Sequence, residues 1–220
     1  MWRILADPEG NETGVATPGR PPARQFLATA ATDRLHAARL MAMYCARLEE
    51  ICGARWAEDI DLEAKTWTIY QVCVVVDGKV IVKDAPKSER SARTLPLPED
   101  LVNALKTLRR RQAAEKLAAG PAYTDSGYVV VDELGQAVNP EWFSKSALER
   151  VRKSAKVRRL TPDGTRHTAN SLMAKAGVPD SIRAAWCGHA VEVNRTTYLH
   201  ATPEDMHVAR DALSTIYKIG

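Results

Sequence analysis

Four short stretches carry residue types able to do chemistry on an anion. "ARLEE" sets Arg47 and Glu50 three apart, so that on a helix they share one face; alone, such a pair is ordinarily a surface ion pair. "DAPKSERSARTLPLP" holds Lys87 just past a turn, where a lysine is ordinarily only solvated. "TPDGTRHT" puts Arg166 and His167 at a helix start, where a guanidinium and unpaired backbone N–H groups could together grip an anion, although an exposed arginine there is commonplace. "CGHAVEVNRTTYLH" places Tyr198 nine residues after His189. That tyrosine is either a half-buried aromatic or a nucleophile whose attacked phosphate is held by basic residues elsewhere, and the spacing alone leaves both open.

The elements that must position these residues read as follows. Residues 1–30 hold Pro8, Gly10, Gly14, Pro18, Gly19, Pro21 and Pro22 with little apolar periodicity, which predicts a flexible tail ahead of one folded unit, 31–220. Leu35, Ala38, Met41, Cys45, Leu48 and Cys52 fall at steps of three and four, predicting one long helix that ends near Gly53. "TWTIYQVCVVV", Asp77-Gly78 and "KVIV" predict a hairpin, because a type I′ turn needs positive φ at both central residues. "ARTLPLP" and "YVVV" are expected as short strands. Helices are expected from Pro98 to about Ala119, around 140–155 and around 165–176. A last helix has Thr202 as N-cap, Pro203 at its first position and Asp205 in its first turn. The fold class is α+β, mainly α, with a small antiparallel sheet.

Composition narrows the setting. The chain has 220 residues, 45% hydrophobic and 26% charged, enough for one substantial core, and a net charge of +4 leans only mildly toward polyanionic partners. Cys45, Cys52, Cys73 and Cys187 show no CxxC pair and no recurring spacing, so reduced core thiols are expected. Cys187 and His189 lack two further ligands at zinc spacing, and no metal is expected. No apolar stretch approaches the roughly 20 residues of a membrane span, and no signal peptide is legible, so a cytoplasmic protein with no membrane partner is expected.

Order is more specific than any single stretch. Arg47 with Glu50 ahead of "ARWAEDIDLEAKTWTI", a lysine hairpin closing in "RTLPLP", "TRHTANSLMAKAGVP", then "CGH" with a tyrosine nine on resembles the catalytic domain of the tyrosine recombinases, the phage integrase family, over residues 32 to about 217. The resemblance implies a DNA breaking and rejoining enzyme whose catalytic residues are Arg47, Lys87, Arg166, His189 and Tyr198. Arg47 and Arg166 would clamp the nonbridging phosphate oxygens, Tyr198 would attack phosphorus, Lys87 would protonate the leaving 5′ oxygen, and His189 would assist at the phosphate. Glu50 would orient the basic cluster. Because the phosphotyrosine keeps the bond energy, neither ATP nor a metal is implied. Double-stranded DNA is the implied partner, bound by a homo-oligomer, a tetramer when two sites are paired, with the C-terminal segment exchanged between neighbours.

Two departures from the family pattern stand out. Where the family usually has a histidine, three residues before the second arginine, this chain has Asp163, which could face Arg166 and either orient it or compete for it. His167, one residue further along, points about 100° away from Arg166. Family members usually carry about a hundred residues of helical DNA-binding domain first, whereas about 30 precede the first helix expected here. DNA contact is therefore expected from the run at 150–159, through Arg150, Arg152, Lys153, Lys156, Arg158 and Arg159, while Arg109 to Arg111 are read as a solvated face. The rival expectation is a truncated, non-catalytic DNA-binding protein that occupies sites or regulates a full-length recombinase. A topoisomerase without sequence choice is a more distant one.

Overall fold

The computed structural model describes residues 22–70, 72–76, 79–83, 92–157, 161–188 and 202–217. Its first helices show why apolar spacing misleads. Leu35, Ala38, Met41, Cys45, Leu48 and Cys52 are all buried, yet they do not lie on one helix. α2 (His36–Met43) stops, Cys45 takes φ 78, and α3 (Leu48–Gly53) starts afresh with Arg47 as an extended N-cap. The backbone N–H of Arg47 donates to the Glu50 carboxylate at 2.8 Å. The three-residue spacing of Arg47 and Glu50 is thus the spacing of a helix cap to its N3 residue, not of two neighbours on one face, and this closes the new helix start.

The last part of the segment expected as a tail is helical instead. α1 (Pro22–Ala30) buries Phe26, Leu27 and Ala30. Arg24 Nε donates to the carbonyl of Ile216 at 2.7 Å, and Gln25 Nε2 to that of Ala155 at 2.8 Å, tying the helix to two distant parts of the chain. Breaker residues marked the segment as loose, but the apolar pair Phe26-Leu27 finds a tertiary surface that composition does not reveal.

The β region divides in two. β1 (Ile60–Asp61), β2 (Thr66–Ile69) and β5 (Arg93–Pro96) form an antiparallel sheet in the order β1-β2-β5, with Trp67 opposite Leu95. β3 (Val72–Val76) and β4 (Lys79–Lys83) form a separate hairpin with Val76 opposite Lys79. Asp77 and Gly78, between them, lie outside the described residues. "YVVV" forms no strand: Tyr128 and Val131 make only isolated bridges, to Arg55 and Ala137.

α4 (Glu99–Ala119) matches its expectation. The helix expected around 140–155 is continuous but uneven, with α5 (Pro140–Trp142), a π-helical stretch over Phe143–Leu148 and α6 (Glu149–Ser154). α7 (Pro162–Lys175) starts earlier than expected, with Thr161 as its cap, which moves Arg166 into the second turn and away from the helix terminus. α8 (Asp180–Cys187) was not anticipated. α9 (Pro203–Tyr217) is capped as read, with Asp205 N–H donating to Thr202 Oγ1 and Thr202 N–H to the Asp205 carboxylate.

α2 is the central element, almost wholly buried, with α1, α3, α4 and α7 packed on it. α8 and α9 lean on the break after it. Trp186 Nε1 donates to the Tyr44 carbonyl at 2.8 Å, and the Tyr217 hydroxyl to the Met43 carbonyl at 2.9 Å. Cys45 and Cys187 are joined in a disulfide with Cα atoms 5.5 Å apart, correcting the expectation that both are reduced; Cys52 and Cys73 are free and buried. Only the docking of α8 under the break brings the pair together, so spacing along the chain could not foretell it. Among the described residues no helix is long and apolar enough to cross a membrane.

Candidate functional site

The site is built on the C-terminal end of α8. Helix ends leave carbonyls without intrahelical partners, and the aligned peptide dipoles make this end partly negative. Three consecutive carbonyls there each accept from a different arginine. Arg93 Nε reaches Trp186 O at 2.9 Å, Arg166 Nη2 reaches Cys187 O at 2.7 Å, and Arg47 Nη2 reaches Gly188 O at 2.7 Å. Arg166 Nη1 also bonds the Cys45 carbonyl at 2.5 Å, so its guanidinium spans both half-cystines. Arginines brought by α3, β5 and α7 thereby converge on three successive peptide units.

Glu50 ties two of them together. Oε1 accepts from Arg47 Nη1 at 2.8 Å and from Arg93 Nη1 at 3.0 Å, and Oε2 from the Arg47 backbone at 2.8 Å and from Arg93 Nη2 at 2.9 Å. Burial alone would raise the pKa of this carboxyl. The Arg93 charge and hydrogen bonds, followed by those of Arg47, outweigh it and hold the carboxyl at about 2, against an ordinary 4.5. Because the folded value is depressed, the stability it contributes is present above 4.5 and is lost as pH falls toward 2.

Gly188 makes the crowding possible. It caps α8 in the left-handed region at φ 63, and a Cβ there would lie 2.8 Å from Arg93 Nη1 and 3.2 Å from Arg47 Nη1. The three guanidiniums differ in access. The side chains of Arg93 and Glu50 are 5% and 2% exposed and Arg166 is buried, whereas Arg47 keeps 33% of its side chain exposed.

Of the residues singled out in the sequence, Arg47, Glu50 and Arg166 are thus brought together, on either side of Gly188. Lys87, His189 and Tyr198 lie outside the described residues, as do Arg158 and Arg159. Asp163 belongs to α7, but its side chain is outside the described part. His167 is exposed while Arg166 is buried, in keeping with their separation around the helix. Arg166 stands in the second turn of α7, away from the helix N-terminus, which corrects that part of the reading. In the basic run, Arg150 is 64% exposed and pairs with Asp33 at 3.0 Å. Arg152 forks onto Glu149 at 2.7 and 2.6 Å, and Lys153 and Lys156 are exposed.

Arg93 was missed, although its signal was present. In β5, Arg93, Leu95 and Pro96 are buried and Thr94 is exposed, so an arginine sits on the apolar face of a strand, where it demands an acidic partner. A concavity of about 770 Å³ lies elsewhere, lined by Glu58, Asp59, Asp61, Glu63, Lys106 and Arg109 among others, and the guanidinium cluster takes no part in it. No group of three or more His, Cys, Asp or Glu suited to a metal occurs among the described residues.

Comparison with known proteins places this arrangement in context. The model of the phage integrase family matches residues 23–205. The chain is 28% identical over 183 residues to a tyrosine recombinase XerC-like protein of Caldanaerobacter subterraneus subsp. tengcongensis, covering 78% of this chain and 46% of that one. It is 25% identical over 145 residues to an integrase of Saccharopolyspora erythraea, covering 64% and 32%. The chain thus spans less than half the length of either relative. Among solved structures, XerA recombinase superposes with a TM-score of 0.60 at 18% identity, over 94% of this chain and 65% of that one. The Tn1549 transposon integrase in complex with a circular intermediate DNA gives 0.62 at 18%, over 93% and 68%. These likenesses establish a shared fold.

Proposed function

The chain belongs to the phage integrase family, and from that premise we propose that it is a site-specific DNA recombinase that cuts and rejoins strands through a 3′-phosphotyrosyl intermediate. The single observation carrying this reading is the convergence of Arg47, Arg93 and Arg166 on three successive carbonyls ending at Gly188, directly before His189. Phosphoryl transfer needs fixed cations around the nonbridging oxygens, since its transition state spreads charge there. A guanidinium held at its planar fork supplies that charge without having to reorganise.

In this mechanism Tyr198 Oη passes its proton to His189 and forms a bond to phosphorus as the bond from phosphorus to the 5′ oxygen breaks, and Lys87 gives that oxygen its proton. Arg47 and Arg166 face the nonbridging oxygens, each worth about 4 kcal/mol at ~4 Å and an effective dielectric near 20. His189 hydrogen-bonds the phosphate, and Glu50 orients Arg47. A 5′-hydroxyl then attacks the phosphotyrosine, reversing the step on a new strand. The partner is double-stranded DNA, engaged by a homo-oligomer and contacted by Arg150, Arg152, Lys153, Lys156, Arg158 and Arg159. The catalytic unit includes α1, since Arg24 and Gln25 tie that helix to the rest.

Purified protein incubated with candidate attachment-site DNA, nicked to trap the intermediate, is expected to yield a covalent protein–DNA band that Tyr198→Phe abolishes. Salt-sensitive binding with no covalent band at any candidate site would establish instead the non-catalytic DNA-binding protein, the reading that Asp163 favours. Relaxation of supercoiled DNA lacking any such site would indicate a topoisomerase.

A further inference from the structure

We propose that Arg93 is a positioning residue that takes up the charge of Glu50, so that this carboxylate orients Arg47 without neutralising it toward a phosphate. The proposal rests on the reading of Arg47 as a phosphate ligand. Both oxygens of Glu50 are shared between the two arginines, and the geometry of sharing is unequal. Arg93 meets the carboxylate with both terminal nitrogens, the parallel fork that gives the strongest guanidinium–carboxylate pairing. Arg47 offers one terminal nitrogen and its backbone N–H, and turns its other terminal nitrogen to the Gly188 carbonyl.

Burial divides the labour further. Arg93, at the start of β5, is sealed against α8 with its Nε on the Trp186 carbonyl, while Arg47 is a third exposed. A carboxylate facing Arg47 alone would hold the same geometry but cancel its charge, and an anion approaching Arg47 would meet Glu50 behind it. With Arg93 present, one carboxylate stands between two guanidiniums, and the inner one pairs with it so that the outer one keeps its pull. A lysine has no planar fork with which to match both oxygens and also hold a carbonyl. The depressed pKa of Glu50, caused chiefly by Arg93 acting against burial, accords with that division.

Inorganic phosphate is the probe, with binding read from its own phosphorus NMR signal and folding checked by circular dichroism. Arg93→Gln is expected to weaken phosphate binding about tenfold, as Glu50 turns its whole charge on Arg47. The same variant is expected to move the Glu50 carboxyl titration, followed by carbon NMR, upward from about 2. Adding Glu50→Gln is expected to bring binding back to within about threefold of wild type, because the charge that Arg93 offset is then gone. Unchanged binding in Arg93→Gln, or a loss that persists in the double variant, overturns the proposal. If Arg93→Gln does not fold, the double variant is compared with Glu50→Gln alone: equal binding supports the proposal and a further tenfold loss refutes it. Arg47→Gln separates the two ideas. Should it bind phosphate as wild type does, the premise about Arg47 fails; should it weaken binding while Arg93→Gln does not, only the role of Arg93 fails.

Discussion

Two arginine-rich regions of this protein use the same side chain in opposite ways. At the end of α8, Arg93 and Arg166 are buried; these two and Arg47 each donate to a backbone carbonyl there, and Arg93 and Arg47 also pair with Glu50. On and after α6, Arg150, Lys153 and Lys156 stand exposed, and the ion pairs nearby are local or reach a partly open Asp33. The first arrangement is costly to build, because burying charge is unfavourable unless every hydrogen bond is met, and in return it holds guanidiniums at fixed positions. The second costs little and specifies little. It supplies charge that salt can screen, which suits contact with a duplex backbone and not the geometry of a reacting phosphate.

The contrast can be tested from its strongest element downward. The inner region alone carries a covalent tie among the described residues, Cys45–Cys187, joining positions separated by 142 residues. In the chain-entropy account a loop of that length is worth up to about 5 kcal/mol. Guanidinium chloride unfolding should therefore shift to a clearly lower midpoint when reductant is added, and a midpoint that stays put would show that the arginines hold the α8 end by themselves. Next, Arg166→Ala strips partners from the Cys45 and Cys187 carbonyls and is expected to cost about 3 kcal/mol in urea unfolding. Arg150→Ala should cost under about 1 kcal/mol. Similar losses for both would erase the distinction between the regions. The smallest effect is on the outer side: each of Arg150→Ala and Lys153→Ala should lower the salt slope of duplex binding by about 0.9 while leaving the unfolding midpoint nearly unchanged. A slope that does not respond would remove the run from the DNA contact surface.

The sequence was most legible where local rules act alone. The hairpin of β3 and β4, the span of α4 and the Thr202 cap of α9 follow from turn chemistry, periodicity and capping, each decided within a few residues. It misled where an apolar stripe ran through a break, since Cys45 is as buried as a helical residue while taking a left-handed backbone. It was silent on α8, whose C-terminal carbonyls organise the site. Arg93 signalled itself locally, as an arginine on an apolar strand face, but its partner Glu50 lies 43 residues away along the chain.

The chain by itself determined the family motifs, their order, and the presence of two arginines of the right type at 47 and 166. Residue types and short-range spacing are written directly in the chain, and the conformational preferences that follow from them are local. Tertiary structure alone decided that these arginines meet at one helix end, that a third completes the cluster, that Glu50 is buried between two of them, and that two cysteines pair. Such facts depend on which surfaces dock, and docking sums many weak contacts among residues far apart in sequence, so no short window of the chain contains them.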